Sequence, residues 1–269
     1  MRSSLVKYDL PRGRGEFDIL MYHSISEGPG PLSIPPLTFR MQMETLADCG
    51  FRCVSLRDHL SADRHAPGKW GARSADPTAR AAVVTFDDGY VDFMEFVVPE
   101  LNRRGWTCTL FVAPRLIEAR EPWNPDGSAA RHLMTWRDIQ RAAACGIEIG
   151  SHGLSHVDLT ELPPEAARAE IEDSQQILEE RVQQTIISFA PPFGRSTPAI
   201  RAEIARHYGC SVGTTMARAS GGDDIFDLPR IEMWYFRDRH RWQQYAREGP
   251  TPYFHARRFL RAVRRGLRI

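Results

Sequence analysis

Short apolar runs alternate with amphipathic stretches from residue 17 almost to residue 234. Parallel strands connected by crossover helices produce such a pattern, because the strands are buried on both faces while each helix keeps one face in solvent. Eight runs are predicted strands, at residues 18–22, 51–56, 81–86, 107–112, 147–150, 186–190, 210–214 and 229–233. The alternation therefore predicts an α/β fold, as a closed barrel or as a long open sheet.

Helix signals lie between these runs. Residues 38–47 carry apolar side chains at helical spacing, and Thr135 with Asp138 predicts a capping box that opens a further helix. Pro163 and Pro164 predict the start of a longer helix, since proline is favoured in the first turn. We expect these helices to form the scaffold and assign them no chemistry.

Two segments are longer than ordinary connections. Residues 61–80 and 113–133 are rich in proline, glycine, arginine, aspartate and alanine. Long irregular segments in compact domains are commonly functional loops or disordered stretches. We expect both to be surface loops that wall a substrate cleft, with disorder as an equal alternative for the first.

Composition and charge narrow the class of protein. The chain has 269 residues and a mass of 30.6 kDa, which one α/β barrel accommodates as a single domain. A net charge of +1 gives no global field, so we expect no nucleic-acid partner. Residues 1–16, an expected N-terminal extension, lack the apolar run of a signal peptide, and no stretch approaches the ~20 apolar residues of a membrane span. We therefore expect a cytoplasmic protein.

The strongest chemical signal is a pair of neighbouring carboxylates. Asp87 and Asp88 follow directly on the apolar run 81–86, and function collects at the ends of such strands. Adjacent residues on extended chain point in different directions, so the two side chains can serve different partners, such as a metal and a reacting water. An ordinary Asp-Gly turn is the alternative interpretation.

A second signal is a pair of histidines behind another apolar run. His152 and His156 follow residues 147–149 and lie on one side if the segment winds into a helical turn. The glutamate that follows the first histidine of a zinc-peptidase helix is absent, because Gly153 occupies that position. Chance spacing of two histidines is the alternative.

A third signal is the rigid segment 189–194 at the end of another predicted strand. Pro191, Pro192 and Gly194 predict a rigid loop, and its backbone N–H groups are candidates to face a developing oxyanion. A simple Pro-Gly turn is the alternative. Together, however, the three signals end three separate strands, and one aspartate with two histidines makes a three-ligand zinc site with an open position for water.

These segments resemble a known family. Residues 85–90, the histidine pair 152–156 and residues 189–194 are similar to the first three motifs of the NodB-homology polysaccharide deacetylases, the family-four carbohydrate esterases. Residues 21–25 and 227–231 also resemble the exopolysaccharide-deacetylase branch. The resemblance spans roughly residues 18–234, and it implies an irregular (β/α) barrel of about seven strands within a domain at 17–250.

The resemblance also implies roles for individual residues. Asp88, His152 and His156 would hold a divalent metal, Zn²⁺ or alternatively Co²⁺ or Ni²⁺, and Asp87 would be the general base. Pro192 and Phe193 would line the substrate and oxyanion side of the site.

Two departures from the family pattern affect the remaining roles. The arginine that usually opens the third motif is replaced by Ala190, and we expect Arg230 to brace the base and line the site instead. The C-terminal Leu-x-His motif that carries the general acid is not recognisable. His23, after the first predicted strand, is the best substitute for that acid, a structural histidine is the alternative, and His240 is the next candidate.

The expected function is removal of N-acetyl groups from N-acetylhexosamine units of a bacterial exopolysaccharide or of its lipid-linked precursor. Two alternatives remain open at this stage. The same site would suit a hydrolase of another small amide or an O-acetyl ester. The altered third motif and the missing C-terminal Leu-x-His motif would also suit a carbohydrate-binding protein without activity.

The C-terminal tail at 251–269 is locally basic. It contains six arginines and no acidic residue, with apolar residues at helical spacing beside them. This pattern is typical of a basic amphipathic helix, which either packs in an oligomer, or faces solvent, or lies peripherally on an anionic inner-membrane surface. The oligomeric state has no sequence signal.

Overall fold

A computed structural model describes residues 16–61, 80–123 and 130–266. The expected N-terminal extension falls almost wholly outside these residues, as do most of the predicted loop at 61–80, the middle of the loop at 113–133 and the last three residues of the tail. In the described part of the chain, no helix is both long and apolar enough to cross a membrane.

All eight predicted strands are present. They are β1 Ile19–Tyr22, β2 Phe51–Val54, β3 Arg80–Phe86, β4 Thr109–Val112, β5 Glu148–Ser151, β6 Ser188–Phe189, β7 Cys210–Ser211 and β8 Ile231–Glu232. The last three are shorter than predicted. Pro191 and Pro229 lack the N–H group that a ladder requires, so regular pairing stops near them.

The strands form one curled parallel sheet. Seven follow the order β7-β6-β5-β4-β3-β1-β8, and β2 pairs with the first half of β3. The isolated parallel bridge Val212–Leu228 connects the continuation of β7 with the segment that leads into β8. This confirms the predicted fold class, a single α/β domain consistent with a (β/α) barrel.

Helices surround the sheet. They are α1 Pro36–Asp48, α2 Leu56–Leu60, α3 Val98–Arg104, α4 Trp136–Ala144, α5 Pro164–Val182, α6 Pro198–His207, α7 Arg239–Glu248 and α8 Pro252–Gly266. The predicted capping box opens α4, where the Thr135 and Asp138 side chains exchange hydrogen bonds with each other's backbone N–H groups. The sequence prediction missed α2, because it extended the second strand to residue 56. In the structure β2 ends at Val54, and Ser55 caps α2 by accepting a hydrogen bond from Asp58 N–H.

The sheet buries side chains on both faces. One apolar cluster lies between the strands and the helices, and a smaller one fills the inside of the curl, with Phe111 and Val212 among its members. The close approach of neighbouring strands requires a glycine at position 150, because a Cβ there would lie 2.5 Å from the Phe111 ring. Parallel strands end on the same edge, so the residues after β1, β3, β5 and β6 meet there.

Candidate active site

Asp87 and Asp88 separate in direction at the end of β3. Asp87 continues the strand, with its N–H donating to the Tyr22 carbonyl at 3.0 Å. Asp88 and Gly89 then take left-handed backbone angles, with φ of 73° and 72°. A non-glycine residue in this region costs free energy and is concentrated at functional sites. The turn directs the two carboxylates to different partners, as the sequence interpretation required.

Asp87 is bound by Arg230. The guanidinium donates from Nη1 to Asp87 Oδ1 at 2.7 Å and from Nη2 to Oδ2 at 2.8 Å, and it also binds Thr85 Oγ1 and the Gly213 carbonyl. Burial alone would raise the pKa of Asp87, but the charge of Arg230 lowers it below its ordinary value. Arg230 is 1% exposed, which leaves it as a brace for the carboxylate rather than a group on the cleft surface.

His152 is fixed at the end of β5. The backbone N–H of His152 donates to the Val112 carbonyl at 2.9 Å and so continues the hydrogen-bond ladder between β5 and β4. Its Nδ1 lies 2.6 Å from the Ala190 carbonyl. A carbonyl only accepts, so Nδ1 carries a proton, and in the neutral ring Nε2 then presents a lone pair. That Nε2 lies 3.4 Å from Asp88 Oδ1.

His156 reaches the same carboxylate from an irregular loop. Its Nε2 lies 3.3 Å from Asp88 Oδ1. The expected helical turn between the two histidines is absent, since Gly153 and His156 both have left-handed angles, with φ of 73° and 58°. The carboxylate of Glu170, on α5, shapes the loop by accepting from Leu154 N–H and from Ser155 N–H and Oγ.

Asp88, His152 and His156 bring one ligand atom each within 4.8 Å of one another. Asp88 Oδ1 is buried and has no hydrogen-bond partner among the described residues, although both imidazoles face it. Burial would raise the pKa of Asp88, yet its interactions with the two histidines lower it. A carboxylate and two Nε2 atoms that converge on one point fit a divalent cation such as zinc.

His23 lies next to Asp87. It follows β1, and its Nε2 is 3.9 Å from Asp87 Oδ2. Its Nδ1 is buried without a hydrogen-bond partner in the described part of the chain. The other candidate acid, His240, is exposed in the first turn of α7. The geometry therefore places His23, and not the exposed His240, beside Asp87.

The third motif forms a tight turn at the mouth of the site. Residues Pro192–Gly194 make a single turn in which Phe193 has a φ of 59°. Pro192 is buried, whereas Phe193 is 52% exposed, with its ring centroid 4.9 Å from that of His156. The turn therefore lies beside the candidate Asp-His-His cluster, where the half-exposed Phe193 ring can contact a ligand.

Two residues of the site were missed from the sequence. The Trp123 ring lies 4.2 Å from the His156 ring, centroid to centroid, and Glu170 holds the histidine loop. Trp123 lies in the long segment predicted to wall a cleft, but no motif marks it. Glu170 occurs in a helix of mostly polar residues, so only its burial in the fold distinguishes it.

Comparison with known proteins agrees with this geometry. Residues 74–212, just over half of the chain, match the family model described as polysaccharide deacetylase. The chain is similar to the putative polysaccharide deacetylase YxkH of Bacillus subtilis (strain 168), at 28% identity over 237 residues that cover 86% of this chain and 75% of YxkH.

Solved structures extend the likeness. The Streptococcus pyogenes deacetylase PplD, in complex with acetate, superposes with a TM-score of 0.66 at 26% identity, over 81% of this chain and 92% of PplD. IcaB from Ammonifex degensii shares the fold, with a TM-score of 0.66 at 17% identity over 91% of this chain and 100% of IcaB. The chain therefore belongs to the polysaccharide deacetylase family.

Proposed function

We propose that this chain is a metal-dependent deacetylase that hydrolyses the N-acetyl groups of N-acetylhexosamine units. One observation carries the proposal: a carboxylate braced by a buried arginine lies beside an Asp-His-His cluster at one edge of the sheet. The first group suits a general base and the second a catalytic metal site. Family membership supports the same reaction class.

Asp88, His152 and His156 would hold the metal, with zinc as the first choice and cobalt or nickel as alternatives. When bound there, the ion supplies Lewis acidity at the acetyl carbonyl and lowers the pKa of a water. Three protein ligands leave coordination positions open, which is the usual form of catalytic sites.

The protein's own groups perform the proton transfers. Asp87 takes a proton from the attacking water, whose oxygen bonds to the acetyl carbon, and Arg230 holds the carboxylate in place. The C–N bond then breaks, and His23 gives a proton to the departing amine as acetate forms. The backbone N–H of Phe193, next to Pro192, stabilises the oxyanion. His23 and Asp87 on neighbouring strands suit this division of acid and base.

The proposed substrate is a bacterial exopolysaccharide, in free or lipid-linked form. The half-exposed Phe193 ring at the mouth of the site offers an apolar surface for a sugar face. A cytoplasmic location would bring the enzyme to lipid-linked intermediates before export.

Acetate release from N-acetylglucosamine oligosaccharides tests the proposal. We expect release by the purified protein, loss of release with a chelator, and recovery when zinc is added back. An O-acetylated saccharide and a small N-acetyl amide serve as comparison substrates. Preference for either comparison substrate, or chelator-insensitive release, would contradict the proposed activity, and a bound metal without any release would favour a carbohydrate-binding protein.

We further propose that the C-terminal tail contacts an anionic lipid surface. Helix α8 is anchored by Phe254, which is buried against Tyr245, while its outer half exposes Phe259, Leu260 and Val263. No acidic residue follows Glu248. Exposed apolar groups between arginines match the headgroup boundary of an anionic bilayer better than they match bulk water.

Vesicle co-sedimentation with and without anionic lipid tests the tail. We expect the double variant Phe259→Ser, Leu260→Ser and the double variant Arg258→Ala, Arg264→Ala to bind more weakly, and high salt to weaken the wild type. Leu37→Ser is the matched control, because Leu37 is a 75% exposed apolar residue on α1. Equal vesicle binding by wild type and all variants at low salt would contradict lipid contact through the tail. A change of oligomeric state in the tail variants would instead favour packing of the tail between copies of the chain.

A further inference from the structure

The two candidate histidine ligands are held in different ways. A metal-ligating histidine commonly donates its second ring N–H to a carbonyl or carboxylate, which fixes the ring. His152 follows this rule through the Ala190 carbonyl. His156 Nδ1 is buried and has no hydrogen-bond partner among the described residues. Another interaction must therefore orient the second ring.

Aromatic rings surround His156 instead. The Trp123 ring packs on it with a centroid distance of 4.2 Å and an interplanar angle of 34°. Phe193 meets it edge-on at 4.9 Å. Phe193 is half-exposed and belongs to a turn at the rim, whereas Trp123 is partly buried. Trp123 is thus the better restrained of the two rings.

A buried polar network restrains Trp123. Its Nε1–H donates to Tyr90 Oη at 3.0 Å, and Tyr90 Oη donates to Glu121 Oε2 at 2.7 Å. Arg131 donates to both Glu121 carboxylate oxygens and to Tyr90 Oη, and its guanidinium lies 4.2 Å from the Tyr90 ring centroid. Arg131 also donates to Ser33 Oγ at 2.7 Å. The network joins the loop of Trp123 to the loops after β1 and β3.

The network begins two residues after Asp88. Tyr90 therefore links the indole that packs on one candidate ligand to the chain that carries another. Glu121 is 3% exposed and Tyr90 is 1% exposed, so water competes little for the hydrogen bond between them. A fully satisfied buried network of this kind rigidifies the groups that it connects.

We propose that Trp123 is the positioning residue for His156, and that Tyr90, Glu121 and Arg131 hold its indole in place. The indole substitutes for the hydrogen bond that His156 lacks. Its removal should increase the range of His156 ring orientations and weaken the metal site, without removing an acid, a base or a ligand. The inference rests on the metal site of the proposed function.

Zinc affinity, measured by competition with a chromophoric chelator, tests the inference. We expect Trp123→Ala to weaken zinc binding about 10–100-fold, the range found for groups that orient metal ligands. Trp123→Phe restores a ring and should recover most of the affinity. Tyr90→Phe keeps the core intact but removes the hydroxyl that receives the indole N–H, so we expect a smaller, several-fold loss.

The control is Trp106→Ala. Trp106 is also partly buried and lies under Arg104, at 5.1 Å, but it precedes β4 and is therefore at the opposite end of the strands. We expect its zinc affinity to equal that of the wild type. kcat and KM are measured at saturating zinc, where Trp123→Ala should regain most of its turnover.

Three results would overturn the inference. The first is wild-type zinc affinity in Trp123→Ala with a raised KM, which would make the indole a saccharide platform. The second is wild-type zinc affinity in Tyr90→Phe, a readout that remains if Trp123→Ala fails to fold. The third is an equal loss in Trp106→Ala. His156→Ala separates this inference from the proposed function, because unchanged zinc affinity in that variant would remove the ligand assignment itself.

Discussion

The candidate active site has two sides that differ in how the fold holds them. The strand side consists of groups next to the parallel strands: His23, Asp87 and His152 directly after a strand, and Arg230 directly before β8. The loop side consists of groups on irregular segments: His156, Trp123 and Phe193. Asp88 is a member of neither group and faces both histidines.

On the strand side, hydrogen bonds from a buried arginine or to a backbone carbonyl hold the functional side chains. Arg230 binds Asp87 with two nitrogens, and the Ala190 carbonyl fixes His152. On the loop side, ring packing orients His156, and Glu170 holds its loop by three hydrogen bonds. The proposed base is thus fixed by groups next to the sheet strands, whereas one proposed metal ligand, His156, depends on groups that the sheet does not supply.

The largest expected effect is on the strand side, at the proposed acid. His23→Ala should lower turnover by about 10²–10⁴, the range for acid–base groups, because the departing amine loses its proton donor. Metal content should stay unchanged, since His23 is not a proposed ligand. Steady-state kinetics with elemental analysis measure both. His240→Ala is the matched control on an exposed histidine, and wild-type turnover in His23→Ala would remove the assignment.

The second effect concerns the brace. Arg230→Met leaves the buried Asp87 carboxylate without its cation, and breaking a buried pair in this way costs about 3–5 kcal/mol of unfolding free energy. Urea unfolding of the two proteins measures the difference. Arg168→Met, which removes the exposed pair with Glu203, should change the free energy by less than about 1 kcal/mol. Similar effects of the two substitutions would show that the brace does not stabilise the strand side.

The third effect tests how the loop that carries His156 is held on the loop side. Glu170→Gln should loosen the backbone between the two histidines, because a neutral amide is a weaker acceptor for the Leu154 and Ser155 N–H groups. We expect zinc affinity to fall about 10-fold, at the low end for supporting groups. Chelator competition measures it, with the neighbouring Glu172→Gln as control. A loss of turnover at saturating zinc without a loss of affinity would contradict this role.

The smallest effect is a pH dependence of stability. Burial would raise the pKa of Glu121, but hydrogen bonds from Arg131 and Tyr90 lower it to about 2. A depressed folded-state pKa stabilises the protein above the unfolded value near 4.5 and loses that contribution as the pH falls through about 2. Wild type should thus lose more stability than Glu121→Gln between pH 5 and 2, by urea unfolding. Equal losses of stability in wild type and Glu121→Gln would contradict this role of Glu121. Glu95→Gln, at an exposed position, is the control and should lose as much stability as wild type.

The strand side was largely predictable from the sequence and the loop side was not. Asp87 and His152 follow apolar runs directly, so local pattern and strand parity locate them. Arg230 was inferred only from the absence of an arginine at Ala190. The shape of the loop around His156 depends on Glu170 and Trp123, which are remote along the chain, and no periodicity encodes such contacts.

The fold shows the same division. Eight strands were predictable because each is a buried apolar run. Their parallel direction follows from the helices that connect them. The bridge Val212–Leu228 was not predictable, although Val212 lies in the predicted strand 210–214, because a hydrophobic pattern does not specify which strands become neighbours. The C-terminal helix was expected as amphipathic, but the burial of Phe254 against α7 makes its first turn part of the domain.

The most direct test of the account is the zinc content of Asp87→Asn and Asp88→Asn, measured per chain by elemental analysis. The two residues are neighbours, yet the turn at Asp88 gives one to Arg230 and the other to the histidines. The account predicts about one zinc in Asp87→Asn, with acetate release lost, and a clear loss of zinc in Asp88→Asn. Equal zinc loss in both variants, or full zinc in Asp88→Asn, would contradict it.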